Sequence, residues 1–184
     1  QTKQLGFDEE RVIMFDKGPL GAQYAAFKEA LRQRTAVASV SAGPPPGVGR
    51  KNMTMPVTHP ETGAEQTISS MFVDYGYTET LGLPLQRGRS FTPDRPGDVN
   101  RAVVLSESAV DAYGLGDDPV GQQVPWGNQQ RTVIGVVNDF HNESLHEAIQ
   151  PIALALNPEN TWTAMVRLAP GATEAGLDGV RAPW

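Results

Sequence analysis

The sequence predicts an α/β (α+β) protein of two lobes, in which a β-rich segment is inserted into an α/β lobe. Three observations carry this. An apolar run, an amphipathic helical stretch and a second β-branched run follow one another over residues 11–42. A Gly/Pro stretch, GPPPGVG at 43–49, then breaks the pattern, because proline locks φ and removes backbone donors. Short β segments with two short helices come next, before an αββα order closes the chain. The simplest packing puts 1–48 and 141–184 in one α/β lobe and 49–140 in the inserted β-rich lobe.

Each element has a local reason. RVIMFD at 11–16 is a short apolar run and reads as a buried strand. After the turn KGPLG, the residues Leu20, Tyr24, Phe27 and Leu31 recur at helical spacing and form one apolar face. AVASVSA at 36–42 reads as a strand. A hairpin follows, with its turn near Thr62 and Gly63 and its second strand over 66–73. Asp74 is placed to cap the short helix YGYTETL, which Gly82 closes. LPLQRGRSF is extended and TPDRPGDVN is a loop. AVVLS is a strand, and Ser106 caps the helix ESAVDAY, ended by Gly114. DDPVGQQV leads into RTVIGVV at 131–137, a strongly apolar strand. Asn142 is an N-cap, Leu145 and Ile149 share a helical face, and Pro151 stops that helix. IALALN and TAMVRLA are strands, and a last helix begins at Thr173.

Composition excludes several function classes. The chain of 184 residues carries a net charge of -6 and no long basic run. That argues against nucleic-acid binding, which needs clustered Lys and Arg to release counterions. There is no cysteine, so a disulfide framework, a thiolate zinc site and a cysteine nucleophile are excluded. No apolar run approaches the roughly 20 residues needed to span a bilayer. The chain starts at Gln1 without Met and stops at Trp184 inside an element, so it reads as a piece of a longer protein.

The densest group of chemistry-bearing residues is DFHNESLHEAIQP at 139–151. It orders Asp139, His141, Glu143, His146 and Glu147 as metal sites often do. Zinc, however, needs three or four convergent ligands, and helical histidines converge at i and i+4. His146 is followed four residues on by Gln150, and His141 precedes the cap. The stronger reading is a corner, where Asp139 ends a strand, Asn142 caps a helix and the histidines hydrogen-bond. KGPLGAQ lacks both the dinucleotide and the P-loop glycine patterns. No serine sits in G-x-S-x-G. Asp94, Asp98, Asp117 and Asp118 lack calcium-loop spacing. Arg87 and Arg89 fall on one face of an extended chain, where they hold an anion or, more commonly, bridge to acids such as Asp94 and Asp98. Trp126 and Trp162 read as core or edge packing rather than as a sugar platform. No catalytic residue, cofactor or metal ligand set is assigned.

Four segments, taken in order, carry a family resemblance. QLGFDEERVIMFD resembles the segment that follows a transmembrane helix in bacterial ABC transporter permeases of the MacB/FtsX type. DYGYTETLGLPLQRGRSF resembles the family's "tlGipl..GR.f" segment. RAVVLSESAVDAYGLGDDPVGQQV resembles its "vviNEa.a..lg...dPiGk.i" segment, with Ser106 where Asn is usual and Gln122 or Gln123 where Lys is usual. TVIGVVNDFHNESLHEAIQP resembles its "ivGVvkDfh..Slhe.i.P" segment.

The resemblance implies a periplasmic core domain at the inner membrane of a bacterium, with an α/β lobe of two similar halves and an inserted lobe. It implies no catalysis by this domain. The partners implied are the permease's own transmembrane helices, a cytoplasmic ATP-binding subunit, a twin copy in a dimer, and a periplasmic partner or substrate that ATP-driven movement pushes upon. Rigid-body coupling needs hinges. The two expected crossings between lobes supply Pro44, Pro45 and Pro46 on one side and Asp139, His141, Asn142, His146 and Pro151 on the other. The alternative function is a metal-dependent hydrolase or metal-binding module centred on His141 and His146.

Overall fold

A computed structural model describes residues 11–47, 53–142 and 149–172. Two sheets organise them. Strands β1 (Val12–Asp16), β2 (Val37–Ala42) and β10 (Thr163–Leu168) form an antiparallel sheet in the order β1-β10-β2. The larger sheet holds β3 (Met53–Thr58), β4 (Glu65–Val73), β5 (Leu85–Gly88), β6 (Ala102–Ser106), β7 (Gln123–Trp126), β8 (Gln129–Val137) and β9 (Ile152–Leu156). Its order is β3-β4-β9-β6-β8-β5, with β7 also pairing β8. Strands β4/β9 and β6/β8 run parallel, and β9 runs antiparallel to β6.

Among the described residues three α-helices, α1 (Tyr24–Arg32), α2 (Tyr77–Leu81) and α3 (Glu107–Tyr113), complete a layered arrangement. Strand alternation sorts the side chains. Val103, Leu105, Ala153 and Ala155 pack toward α3, with its Ala109 and Ala112. Val104, Ile152, Leu154 and Leu156 point the other way, into a core with Tyr77 and Leu81 of α2. Met165 of β10 belongs to that same core, so α2 lies between the sheets. Val40, Val166 and Leu168 face α1 through Leu31 and Phe27. Among the described residues no helix is long and apolar enough to cross a membrane.

Several local features differ from the sequence reading. The expected helix from Leu20 is first a 3-10 segment at Gly18–Gln23, interrupted where Gly21 adopts φ 46. Leu20, Tyr24 and Leu31 are nonetheless buried on one face. Asp74 does not cap α2, whose N-cap is Gly76 at φ 78 with no side-chain bond. The Asp74 carboxylate is drawn away by stronger partners, described below. Strand β7 is not among the elements expected from the sequence, although Gly127 and Asn128 between its end and β8 are a hairpin signal. Strand β9 sits inside the larger sheet. The segment between β8 and β9 therefore joins two strands of one sheet, and the chain returns to the small sheet only between Leu156 and Thr163. The corner at Asp139–Pro151 is thus not the second crossing between the sheets. The helix expected at Thr173 and the centre of the one expected after Asn142 lie outside the described residues.

Candidate functional site

Two polar constellations stand out from the apolar layers. The first is the corner at the end of β8. Ser106, at the end of β6, caps α3 by accepting the Ala109 N–H at 3.3 Å. The same hydroxyl oxygen accepts the Ile152 N–H at 3.0 Å, which ties the start of β9 to the cap. Asp139 Oδ1 accepts the Ser108 N–H at 2.9 Å and the Ser108 hydroxyl at 2.8 Å. An acid at the first turn of α3 is favoured by the exposed N–H groups and the helix dipole there. Phe140 beside it is fully buried, and Asn142 is buried. Pro151 O accepts the Ser69 N–H at 2.8 Å. Asp139 thus ties β8 to α3, while Ser106 and Pro151 anchor the start of β9.

His141 is half-buried at this corner. His146, Glu143 and Glu147 lie outside the described residues. Among the described residues no group of three His, Cys, Asp or Glu side chains is placed to hold a metal ion.

The second constellation joins the two sheets. Asp74 follows β4 and is 2% exposed. Its Oδ2 accepts the Lys28 ammonium at 2.7 Å and the Tyr24 hydroxyl at 3.1 Å, both from α1. Its Oδ1 accepts the Tyr75 N–H at 2.7 Å. Its own N–H donates to Ala42 O at 2.8 Å, along the outer edge of β2, and Ser41 Oγ donates to its carbonyl at 3.3 Å. Lys17 adds to the cluster. Its ammonium donates to Pro158 O at 2.7 Å and Thr161 Oγ1 at 2.8 Å, and lies 4.5 Å from the Tyr24 ring centre. Burial lowers the Lys17 pKa and pushes the Tyr24 phenol well above its ordinary range, with Asp74 adding to the latter. A cleft of about 490 Å³ opens beside Lys17, between Ala22 and Ala25 on one wall and Trp162, 47% exposed, on the other. Arg167 of β10 donates to Thr80 O of α2 at 2.7 Å, a further tie between the sheets.

The prolines sit against this junction. Pro44 and Pro46 are buried, and Pro44 O accepts the Tyr77 hydroxyl at 2.6 Å. The first crossing between the sheets is therefore a packed strap. Arg89 is held bidentately by Asp98, at 2.6 and 2.9 Å, and Arg87 donates to Asp117 O. The two side chains do not converge as alternation predicts, because a bulge between Leu85 and Arg87 and the φ of 71 at Gly88 break the register. Trp126 is buried under the Arg131 guanidinium, 4.4 Å from its ring centre.

Buried tyrosines make alkaline stability a direct readout of this packing. Burial pushes the Tyr113 phenol up to about 12 and raises Tyr24 and Tyr77 beyond the ordinary range. A raised folded-state pKa means that the unfolded chain releases its proton first. The stabilisation is fully present below about pH 10 and is lost as pH rises through the folded values. Lys17, shifted downward, acts in the opposite sense over the same alkaline range. We expect melting temperature to fall above about pH 10, with the phenolate absorbance of Tyr24, Tyr77 and Tyr113 appearing together with unfolding. Tyr75 is half-buried and can ionise in the folded protein, so more than one phenolate appearing near pH 10 before any unfolding contradicts the packing.

The fold and these constellations define a layered two-sheet module in which the dense polar groups tie elements together. The chain belongs to the family of MacB-like periplasmic core domains, whose family model matches residues 7–179. A stretch of 63 residues is 40% identical to the macrolide export ATP-binding/permease protein MacB of Aggregatibacter actinomycetemcomitans, covering 34% of this chain and 10% of that protein. The match thus spans about a tenth of the length of that curated relative. The fold is similar to the crystal structure of the periplasmic region of MacB from Actinobacillus actinomycetemcomitans, with a TM-score of 0.59 and 16% identity over 95% of this chain and 82% of that one. It is also similar to the extracellular domain of the noncanonic ABC-type transporter YknZ from Gram-positive bacteria, with a TM-score of 0.51 and 18% identity over 91% and 84% of the two chains.

Proposed function

We propose that this chain is the non-catalytic extracytoplasmic part of an ABC transporter permease, on the periplasmic side of a bacterial inner membrane. It receives movement that ATP hydrolysis in a cytoplasmic ATP-binding subunit drives through transmembrane helices, and transmits it to a substrate or a periplasmic partner protein. It works as a dimer. The observation that carries the reading is the family match, which spans residues 7–179.

The geometry suits transmission. One mechanical unit is the three-stranded sheet with α1, and the other is the larger sheet with α3. They meet through α2 and the Asp74 junction. Pro44, Pro45 and Pro46 occupy one crossing, and the segment from Asn157 to Trp162 occupies the other. Asp139, with His141, Asn142 and Pro151 beside it, stiffens the larger unit, so that force applied at one end reaches the other without being absorbed at the corner.

The test is the topology of the parent polypeptide. Membrane fractionation and protease access from outside the inner membrane are expected to find this segment on the outer side, flanked by apolar spans. A soluble parent without spans overturns the reading.

A further inference from the structure

Two packed units of one chain turn against each other by default, unless the contact between them is large and apolar. A hinge absorbs the turn in a few residues whose backbone angles are free to change. Where they are described, the crossings between the two sheets lack that freedom. In the first, the Gly43 N–H donates to Thr163 O at 2.9 Å, and a Cβ on Gly43 would lie 2.6 Å from the Tyr77 ring. Pro44 and Pro46 are buried, and Pro44 O holds the Tyr77 hydroxyl. In the second, the Asn157 N–H donates to Val73 O at 3.0 Å, and the Thr161 hydroxyl donates to Pro158 O at 2.8 Å.

The ties between the units converge on one stretch of chain, from Lys17 to Lys28. Strands β4 and β9 are parallel neighbours inside the larger sheet and end side by side, with Val73 opposite Leu156. The chain leaving β4 is gripped where the Lys28 ammonium donates to the Asp74 carboxylate at 2.7 Å and to Tyr75 O at 3.0 Å. The chain leaving β9 is gripped by the Lys17 ammonium, on Pro158 O and Thr161 Oγ1. Tyr24 lies between the two grips, with its hydroxyl on Asp74 and its ring beneath Lys17. Strand β10 adds the Arg167 bond to Thr80 O and the core that Met165 shares with Val73, Leu154 and Leu156.

We propose that the small sheet and the larger sheet move as one rigid body, clasped by Lys17, Tyr24 and Lys28, and that neither crossing is a hinge. Rotation about one crossing pulls apart the bonds at the other, and buried bonds to charged groups are costly to leave unmade. Pro44, Pro45 and Pro46 are then a fixed point of the domain. A push on the small sheet arrives at the ends of two interior strands of the larger sheet, and the joint that lets the domain swing lies outside both sheets. This deepens the transmission reading, on which its mechanical meaning rests. Rigidity is measured on this chain alone, so it can fail while the topology reading stands.

The experiment is pulsed electron spin resonance between pairs of spin labels. Because the chain has no cysteine, each label goes only where one is introduced. Ala30→Cys on α1 and Asp111→Cys on α3 place labels at exposed positions on the two units. Asp111→Cys with Gln130→Cys on β8 is the control pair within the larger unit. The pair across the units is expected to give a single distance, with a distribution as narrow as that of the control pair. Asp74→Ala and Lys17→Met, each checked for folding by far-UV circular dichroism, are expected to broaden it by about twofold or more and to leave the control pair unchanged. A bimodal distribution, or one broader than the control with the clasp intact, overturns the rigid body. A distribution that stays narrow in the folded variants overturns the clasp as its cause.

Discussion

Gly135→Ala is expected to lower the stability of the domain by about 3 kcal/mol or more, because steric overpacking adds to the loss of a strand pairing. A Cβ on Gly135 would lie 2.3 Å from Arg89 O and 3.1 Å from Arg89 C, both backbone atoms that cannot rotate away. The clash is reciprocal. A Cβ on Gly88 would meet Ile134 O at 2.2 Å, and Gly88 also holds φ +71. The chain after β5 crosses against β8 so closely that only hydrogen fits between the backbones. Relieving the contact lifts the segment that carries the Arg89–Asp98 pair and the bond between Ser90 Oγ and Thr78 Oγ1 at 2.6 Å. Thermal and urea unfolding measure the effect, with a fall in melting temperature of about 6–12 °C expected for a domain of this size. Gly97→Ala is the control, since nothing lies within 4 Å of its added Cβ. Equal behaviour of the two variants would falsify the close-approach argument.

Asp74→Ala is expected to cost about 3–5 kcal/mol, the range for breaking a buried ion pair from one side. The side chains of Lys28 and Asp74 are 13% and 3% exposed. Removing the carboxylate leaves the Lys28 ammonium, the Tyr24 hydroxyl and the Tyr75 N–H short of an acceptor at once. Lys28→Met in the same background is expected to return part of the loss, since the stranded charge is then gone. The two single changes should therefore sum to more than the double change in a denaturation cycle. Strict additivity would mean that the junction is not a coupled unit. Hydrogen exchange adds a spatial check. The amides of α1 should lose protection in Asp74→Ala before those of β6 and β8, because α1 is held to the larger sheet through this carboxylate.

Much of the architecture was legible because it rests on local periodicity. Val12–Asp16, Val37–Ala42, Ala102–Ser106 and Thr163–Leu168 are strands where apolar and β-branched residues run together. Ser106 caps α3 and Gly114 ends it in the left-handed region, both local requirements visible in one turn of sequence. Asp139 was legible only as the acid that follows an apolar strand. Its partner was not. Ser108 lies 31 residues away, and nothing in the spacing of the two announces the bond. Asp74 shows the same limit more sharply. Its neighbours suit a cap, but Lys28 and Tyr24 arrive from 46 and 50 residues away and take the carboxylate for the junction.

By itself the sequence determined most element types, the apolar face of α1, the caps of α3, the absence of cysteine chemistry and the collinear motifs that mark the family. These depend on neighbours within a few residues, where spacing and residue type decide the outcome. Tertiary structure alone decided that β9 enters the larger sheet, that Asp74 joins α1 to the β4–α2 turn, and that Gly88 and Gly135 must both be glycine. Each of these depends on which distant strands lie side by side. That choice is made by the burial of whole faces and by the pairing of backbone groups, and neither leaves a periodic trace in the chain.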